Sequence, residues 1–280
     1  MTSEVLRYAA FTDAGVGGNP AGVVLDAATL TDADMLAIAR DVGYSETAFV
    51  LPDESGATRL RYFSPLAEVA FCGHATVATA VALAERDGPG ELHLTTLAGP
   101  IRVTTIADGS ELVATLTSPA TRTRPVSEAA LSEALAAIGW KSDDLDPAYP
   151  PHVAFAGNDH LVLGVTSLAT LAGLDYDFDR LGTLMQQEQW TTVHLFFAEG
   201  DGVFHVRNAF PPGGVVEDPA TGASAAAFAG YLRTLGLVSP PTRLTLLQGR
   251  DMGRPSRLLV DLDLDSDTVR VSGSATRLTV

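Results

Sequence analysis

Two stretches of this sequence are small or apolar on nearly every helical face, and they narrow the folds open to the chain more than any other feature. One is Gly73-His74-Ala75-Thr76-Val77-Ala78-Thr79-Ala80-Val81-Ala82-Leu83-Ala84-Glu85-Arg86-Asp87-Gly88. The other is Gly222-Ala223-Ser224-Ala225-Ala226-Ala227-Phe228-Ala229-Gly230-Tyr231-Leu232-Arg233-Thr234-Leu235-Gly236. A helix with no polar face has to be enclosed by the rest of the chain. Each stretch opens at a glycine among small polar residues, carries an arginine near its end and stops at a glycine. The approaches also match: Arg61-Tyr62-Phe63-Ser64-Pro65 precedes the first, and Arg207-Asn208-Ala209-Phe210-Pro211-Pro212 precedes the second. The pattern reads as a diverged internal repeat, one unit per half.

Short strand patterns surround each helix. Before and after the first lie Tyr8–Phe11, Gly22–Leu25, a strand led in by Ser45-Glu46, Arg59–Phe63, Glu91–Thr95, Ile101–Thr105 and Glu111–Thr117. In the second half, Thr191–Ala198 and Val203–Asn208 form a hairpin across Glu199-Gly200-Asp201-Gly202. Leu244–Gln248, Arg257–Asp263 and Thr268–Gly273 close the chain as strands. Thr31 or Asp32 caps a helix over Ala33–Arg40, and Ser127 caps one over Ser127–Gly139. Strands and helices without a βαβ rhythm predict an α+β fold. The proline-bearing stretch Ser118–Val126 has no apolar periodicity and reads as the boundary. The domains expected are 1–118, joined by a last strand at about 270–280, and 119–269.

The chain has 280 residues and a net charge of −16, so it offers no basic face for nucleic acid or anionic membrane. A single cysteine, Cys72, excludes an intramolecular disulfide. The stretch Met1–Arg7 lacks a signal pattern, and no apolar run reaches membrane-spanning length, so a cytoplasmic protein is expected.

The six histidines are His74, His93, His152, His160, His194 and His205; none stands in an HxH or HExxH spacing, and no metal site is expected. His194 and His205 read as packing or surface residues. His74 sits at a helix start, where its imidazole either caps the helix or hydrogen-bonds a ligand. Cys72 beside it is either a reactive thiolate or an inert buried thiol. Glu46, at the mouth of a strand, reads from composition as solvated. The glycine-rich loop before Asn19 lacks the strand-to-helix setting of a phosphate loop. Neither Ser45 nor Ser224 lies in a GxSxG elbow. What remains is a carboxylate, a histidine, Asp218 and two helix N-termini. That set suits proton transfer next to a carboxylate, with the helix ends holding the anion.

Five segments, taken together, resemble the PhzF-like (phenazine-biosynthesis) family, which has the diaminopimelate epimerase-like fold. They are Gly18-Asn19-Pro20-Ala21-Gly22-Val23-Val24, Ser45-Glu46-Thr47-Ala48-Phe49-Val50, Phe71-Cys72-Gly73-His74-Ala75-Thr76, Val216-Glu217-Asp218-Pro219-Ala220-Thr221-Gly222 and Leu247–Ser256. The resemblance implies two similar domains, each a barrel-like sheet wrapped round a central helix, with the active site in the cleft between them. It implies a cofactor-independent isomerase acting on a small carboxylated substrate, with no metal, often as a homodimer. It puts the proton-shuttling glutamate on Glu46 and its active-site partners on His74 and Asp218. Gly73, Ala75, Gly222, Ala223 and Ser224 become the substrate-binding candidates at the two helix starts.

The sequence departs from that pattern where the family commonly has serine directly after the second-helix glycine. Ala223 stands there and the serine is Ser224, about 100° further round a helix. Epimerases of the wider fold use two cysteines, one per half; here Thr221 takes the second place, so a two-thiol reaction is disfavoured. Two alternatives stand beside the isomerase: an inactive small-molecule-binding protein of the same fold, and a one-thiol enzyme using Cys72.

Overall fold

The computed structural model describes residues 4–52 and 58–279; Met1–Ser3, part of the stretch read for a signal, lie outside them. In chain order the elements are β1 (Leu6–Ala10), β2 (Asn19–Val24), α1 (Asp32–Val42), β3 (Thr47–Pro52), β4 (Thr58–Phe63), β5 (Glu68–Val69), α2 (Gly73–Asp87), β6 (Glu91–Thr96), β7 (Gly99–Asp108) and β8 (Glu111–Thr117). Then follow β9 (Arg122–Pro125), α3 (Glu128–Ile138), β10 (His152–Phe155), β11 (Asp159–Gly164), α4 (Leu168–Ala172), α5 (Phe178–Glu188), β12 (Trp190–Gly200) and β13 (Val203–Ala209). The last are β14 (Glu217–Asp218), α6 (Gly222–Thr234), β15 (Thr242–Gln248), β16 (Ser256–Leu262) and β17 (Arg270–Arg277). The fold is α+β. The chain divides into two compact units: residues to Thr117 with those from Ser272 on, and Ser118–Val271.

In the first unit β1, β2, β3, β4, β6, β7, β8 and β17 pair in that order and β17 returns to β1, closing an eight-stranded barrel. Helix α2 is its core: His74 through Ala84 are all buried. The many alanines let the sheet approach the helix from every side, which a helix of large side chains would prevent. A separate cluster lies under α1, where Met35 and Ala39 pack on Val24, Phe49 and Phe63. Thr31 caps α1 in a reciprocal capping box with Asp34, and Gly43 ends it in the left-handed conformation.

The second unit has the sheet order β9-β10-β11-β12-β13-β15-β16, packed on α6. Phe228 on α6 anchors an aromatic cluster, with ring centroids 4.6 Å from Phe196, 4.9 Å from Phe204 and 6.0 Å from Tyr231. Helices α3 and α5 close a further core around Ile138, Leu161, Leu195 and Trp190. The expected hairpin forms across a turn in which Gly200, Asp201 and Gly202 all have positive φ. Within the stretch read as boundary, Arg122–Pro125 forms strand β9, paired antiparallel with β10. It is held by backbone pairing and by the Arg122 guanidinium, 3.2 Å from the Phe155 ring centroid. Apolar periodicity does not register such a strand.

The pairing order is the same in both units. β1–β2 antiparallel, β2–β3 parallel, β3–β4 antiparallel, β4–β5 antiparallel, β4–β6 parallel and β6–β7 antiparallel match β10–β11, β11–β12, β12–β13, β13–β14, β13–β15 and β15–β16 in order and sense. In each unit the buried helix follows the two-residue strand. Among the described residues, no helix is long and apolar enough to cross a membrane.

Candidate active site

The start of α2 gathers three reactive side chains. Cys72 is the N-cap residue and its own side chain makes no capping hydrogen bond; first-turn N–H groups and the dipole at a helix start favour an anion. The turn is fixed from behind. Thr76 Oγ1 donates to the Cys72 carbonyl at 2.6 Å, so Tyr62 OH must donate to Thr76 Oγ1, also at 2.6 Å. Burial pushes the Tyr62 phenol well above its usual range, which keeps it a neutral donor.

Glu46, one residue before β3, brings its carboxylate to this turn. Glu46 Oε2 lies 3.4 Å from His74 Nε2 and 3.5 Å from Cys72 Sγ, and Cys72 Sγ lies 3.3 Å from His74 Nδ1. The Ser45 hydroxyl is 3.4 Å from His74 Nε2. The Glu46 side chain is 19% exposed and that of His74 8%. Glu46 is therefore half-buried against two partners rather than solvated, a placement composition cannot reveal because the partners come from 26 and 28 residues away. Gly73 and Ala75 belong to the same first turn. The arrangement sets a carboxylate, an imidazole, a thiol and a helix N-terminus in one place.

At the start of α6 the Asp218 carboxylate meets Thr221 and Gln248. Thr221 Oγ1 donates to Asp218 Oδ2 at 2.6 Å. Gln248 ties the turn together, donating to the Asp218 carbonyl at 2.6 Å and accepting from Thr221 N at 3.2 Å. Gly249 follows in the left-handed conformation; a Cβ there would sit 2.3 Å from the Arg254 carbonyl oxygen and 2.8 Å from that of Pro219. Arg207 clamps Glu217, the neighbour of Asp218, through both carboxylate oxygens and also donates to the Leu171 and Ala172 carbonyls. The first unit repeats the clamp, Arg61 bridging Glu68 at 2.6 and 2.7 Å.

Gly222 and Ala223 lie in the first turn of α6, but the Ser224 hydroxyl turns into the core. It donates to Asn208 Oδ1 at 2.9 Å and contacts His194 Nδ1 at 2.8 Å, on a fully buried residue. Thr192 Oγ1 donates to the same Asn208 oxygen at 2.9 Å and contacts His160 Nδ1 at 2.8 Å. The Ser224 hydroxyl is thus engaged in the core, the result of the one-residue shift along the helix. Burial holds both His160 and His194 neutral, with pKa values near 3. Asn208, Gln248, Arg207 and Glu217 were not singled out as site residues by sequence. The matched Arg-led approaches were the available signal for Arg207.

The residues matched span nearly the whole chain: the family model described as phenazine biosynthesis-like protein covers 8–279. The chain belongs to the PhzF family. Its PhzF relatives include a protein of Deinococcus radiodurans named an uncharacterized isomerase, 34% identical over 98% of this chain and 93% of that one. Another is the trans-2,3-dihydro-3-hydroxyanthranilate isomerase of Pseudomonas chlororaphis, 32% identical over 95% of this chain and 93% of that one. The crystal structure of a Bacillus anthracis PhzF-family phenazine biosynthesis protein superposes with a TM-score of 0.89 at 28% identity, covering 100% of this chain and 98% of that one. This PhzF protein is an isomerase.

Registers allow the two helix starts of this PhzF chain to be overlaid. Phe63 and Ala209 each pair with the first residue of a two-residue strand, and opposite them lie Thr47 and Val193. Thr192 therefore stands where Glu46 stands, Thr221 where Cys72 does, Ala223 where His74 does, and Asp218 where Val69 does.

Proposed function

We propose that this chain is a cofactor-independent isomerase that moves a proton on a small carboxylated substrate, with Glu46 as acid and base. The observation that carries it is the Glu46 carboxylate beside His74 and Cys72 at the start of α2. In this reading the first-turn N–H groups of Gly73 and Ala75 hold the substrate carboxylate and stabilise charge as a carbon–hydrogen bond breaks. Glu46 takes the proton and returns it to another carbon; His74 hydrogen-bonds the developing anion. Asp218, with the Gly222 and Ala223 backbone, contributes further substrate-binding groups. Trans-2,3-dihydro-3-hydroxyanthranilate, which the Pseudomonas chlororaphis relative is named for, heads the substrates to try. A cytoplasmic homodimer belongs to the same reading.

The test is proton NMR in D₂O with that compound and a panel of dienoic and amino acids. Loss of carbon-bound proton signals that Glu46→Gln abolishes supports the proposal. Unchanged exchange in that variant removes Glu46 from the mechanism, and ligand-induced shifts without exchange favour an inactive binding protein. The Cys72 Sγ to His74 Nδ1 distance of 3.3 Å favours one rival, a one-thiol enzyme in which His74 activates Cys72. Alkylating Cys72 decides between them: activity that survives excludes an essential thiol.

A further inference from the structure

Gln248 is the last residue of β15, and its side chain lies against the start of α6, 27 residues beyond Thr221 and 30 beyond Asp218 in the chain. It is 1% exposed and has no task in the proposed proton transfer. Two backbone groups of known polarity fix its amide. The atom 2.6 Å from the Asp218 carbonyl has to be a donor, Nε2, and the atom 3.2 Å from Thr221 N has to be an acceptor, Oε1. Nε2 also lies 3.0 Å from Thr221 Oγ1 and has no lone pair to offer it. Thr221 Oγ1 therefore accepts from Gln248. Its single proton is left for Asp218 Oδ2, 2.6 Å away. The hydrogen bonds run in one direction, from Gln248 through Thr221 to Asp218.

We infer that Gln248 is a positioning residue, which orients the Asp218 carboxylate at the start of α6 through the hydroxyl proton of Thr221. The inference deepens the proposed function and rests on it in one respect, that Asp218 binds substrate. The close approach of Gly249 to the Pro219 carbonyl keeps the end of β15 against this turn. Proton count separates glutamine from its isostere. Gln248→Glu keeps the shape but presents an acceptor where Nε2 stands. The new oxygen faces the Asp218 carbonyl with no proton between them, and it competes with Asp218 for the one proton of Thr221.

The experiment pairs crystal structures of wild type and Gln248→Glu with steady-state kinetics on an acid whose deuteration depends on Glu46. The expected result is that the Thr221–Asp218 hydrogen bond is broken in the variant. KM then rises about 10–100-fold, as for the loss of a hydrogen bond to a charged group, and kcat changes little. An intact Thr221–Asp218 bond in the variant overturns the inference. So does a lowered melting temperature with unchanged KM, which would make Gln248 a structural residue only. Thr221→Val removes the relaying hydroxyl and keeps both bonds from Gln248 to the backbone, so it should also release Asp218 and raise KM. Should Gln248→Glu not fold, an unmoved Asp218 in Thr221→Val overturns the inference by itself. If no acid is deuterated by the wild type, the isomerase reading fails alone, and the crystal structures still decide whether Gln248 orients Asp218.

Discussion

At the start of α2 the chain sets a carboxylate, a thiol and an imidazole within 4.8 Å of one another. At the start of α6 the corresponding positions carry Thr192, Thr221 and Ala223, and the carboxylate is Asp218, where the first unit has Val69. The frames are alike in strand order, in the Arg–Glu clamp and in a strand side chain that reaches the helix's first turn: Tyr62 to Thr76, Asn208 to Ser224. A carboxylate, a thiol and an imidazole are thus gathered at one helix start, and the carboxylate of Asp218 stands at the other. In the other, Thr192 belongs to a buried neutral network. The difference teaches that the frame supplies a buried helix and its N-terminus twice, while substitutions at three register positions give the two starts different side-chain chemistry.

The sharpest way to break this comparison is to exchange its key residues. Glu46→Gln should lower the rate of substrate deuteration by about 10²–10⁴-fold, the usual worth of a general acid or base. Thr192→Val, at the same register position, should leave the rate per folded molecule unchanged. Equal losses in NMR-monitored exchange would erase the distinction.

The clamps come next. Arg207 and Glu217 are 10% and 7% exposed, so Glu217→Ala should cost about 3–5 kcal/mol by urea unfolding, chiefly from stranding a buried guanidinium. Glu68→Ala should cost less, about 1.5–3 kcal/mol, because Arg61 keeps Asp32 at 2.7 Å. The reverse order would mean that the clamps are not equivalent in the way proposed.

Acid should then separate the units. The second unit buries His160 and His194, where register puts Ala21 and Ala48 in the first. Their folded pKa is lowered to about 3 from 6.5. Between those values the unfolded chain binds protons that the folded chain does not, so this stability is complete above pH 6.5 and falls as pH drops. At pH 5 the loss is about 2 kcal/mol for each histidine. Both tryptophans, Trp140 and Trp190, lie in the second unit, so melts followed by tryptophan fluorescence at pH 7.5 and pH 5 report on it alone. A midpoint that does not move would contradict neutral burial. The smallest effect is Ser224→Ala: about 1 kcal/mol of stability from the lost network bond and no change in substrate affinity, measured by calorimetry. Weakened affinity would return Ser224 to the binding site.

Much of this was legible because it is local. The enclosed helices, their glycine stops, the Thr31 and Ser127 caps and the Glu199–Gly202 turn follow from composition and short-range chemistry. Glu46, His74 and Asp218 were named as site residues through the resemblance that five short motifs carry together, Glu46 by itself reading from composition as solvated. Strand β9 was not legible, because edge pairing to β10 leaves no apolar rhythm in Arg122–Pro125.

The sequence by itself determined that two apolar helices must be enclosed, where they start, and which side chains with acid–base chemistry lie near those starts. Only the tertiary structure decided how those side chains face. Strand register, a property of two segments distant in the chain, brought Glu46 against His74 and Cys72 and set Thr192 in its place in the other unit. Helix phase, about 100° for each residue, turned Ser224 into the core, where Asn208 and His194 occupy its hydroxyl.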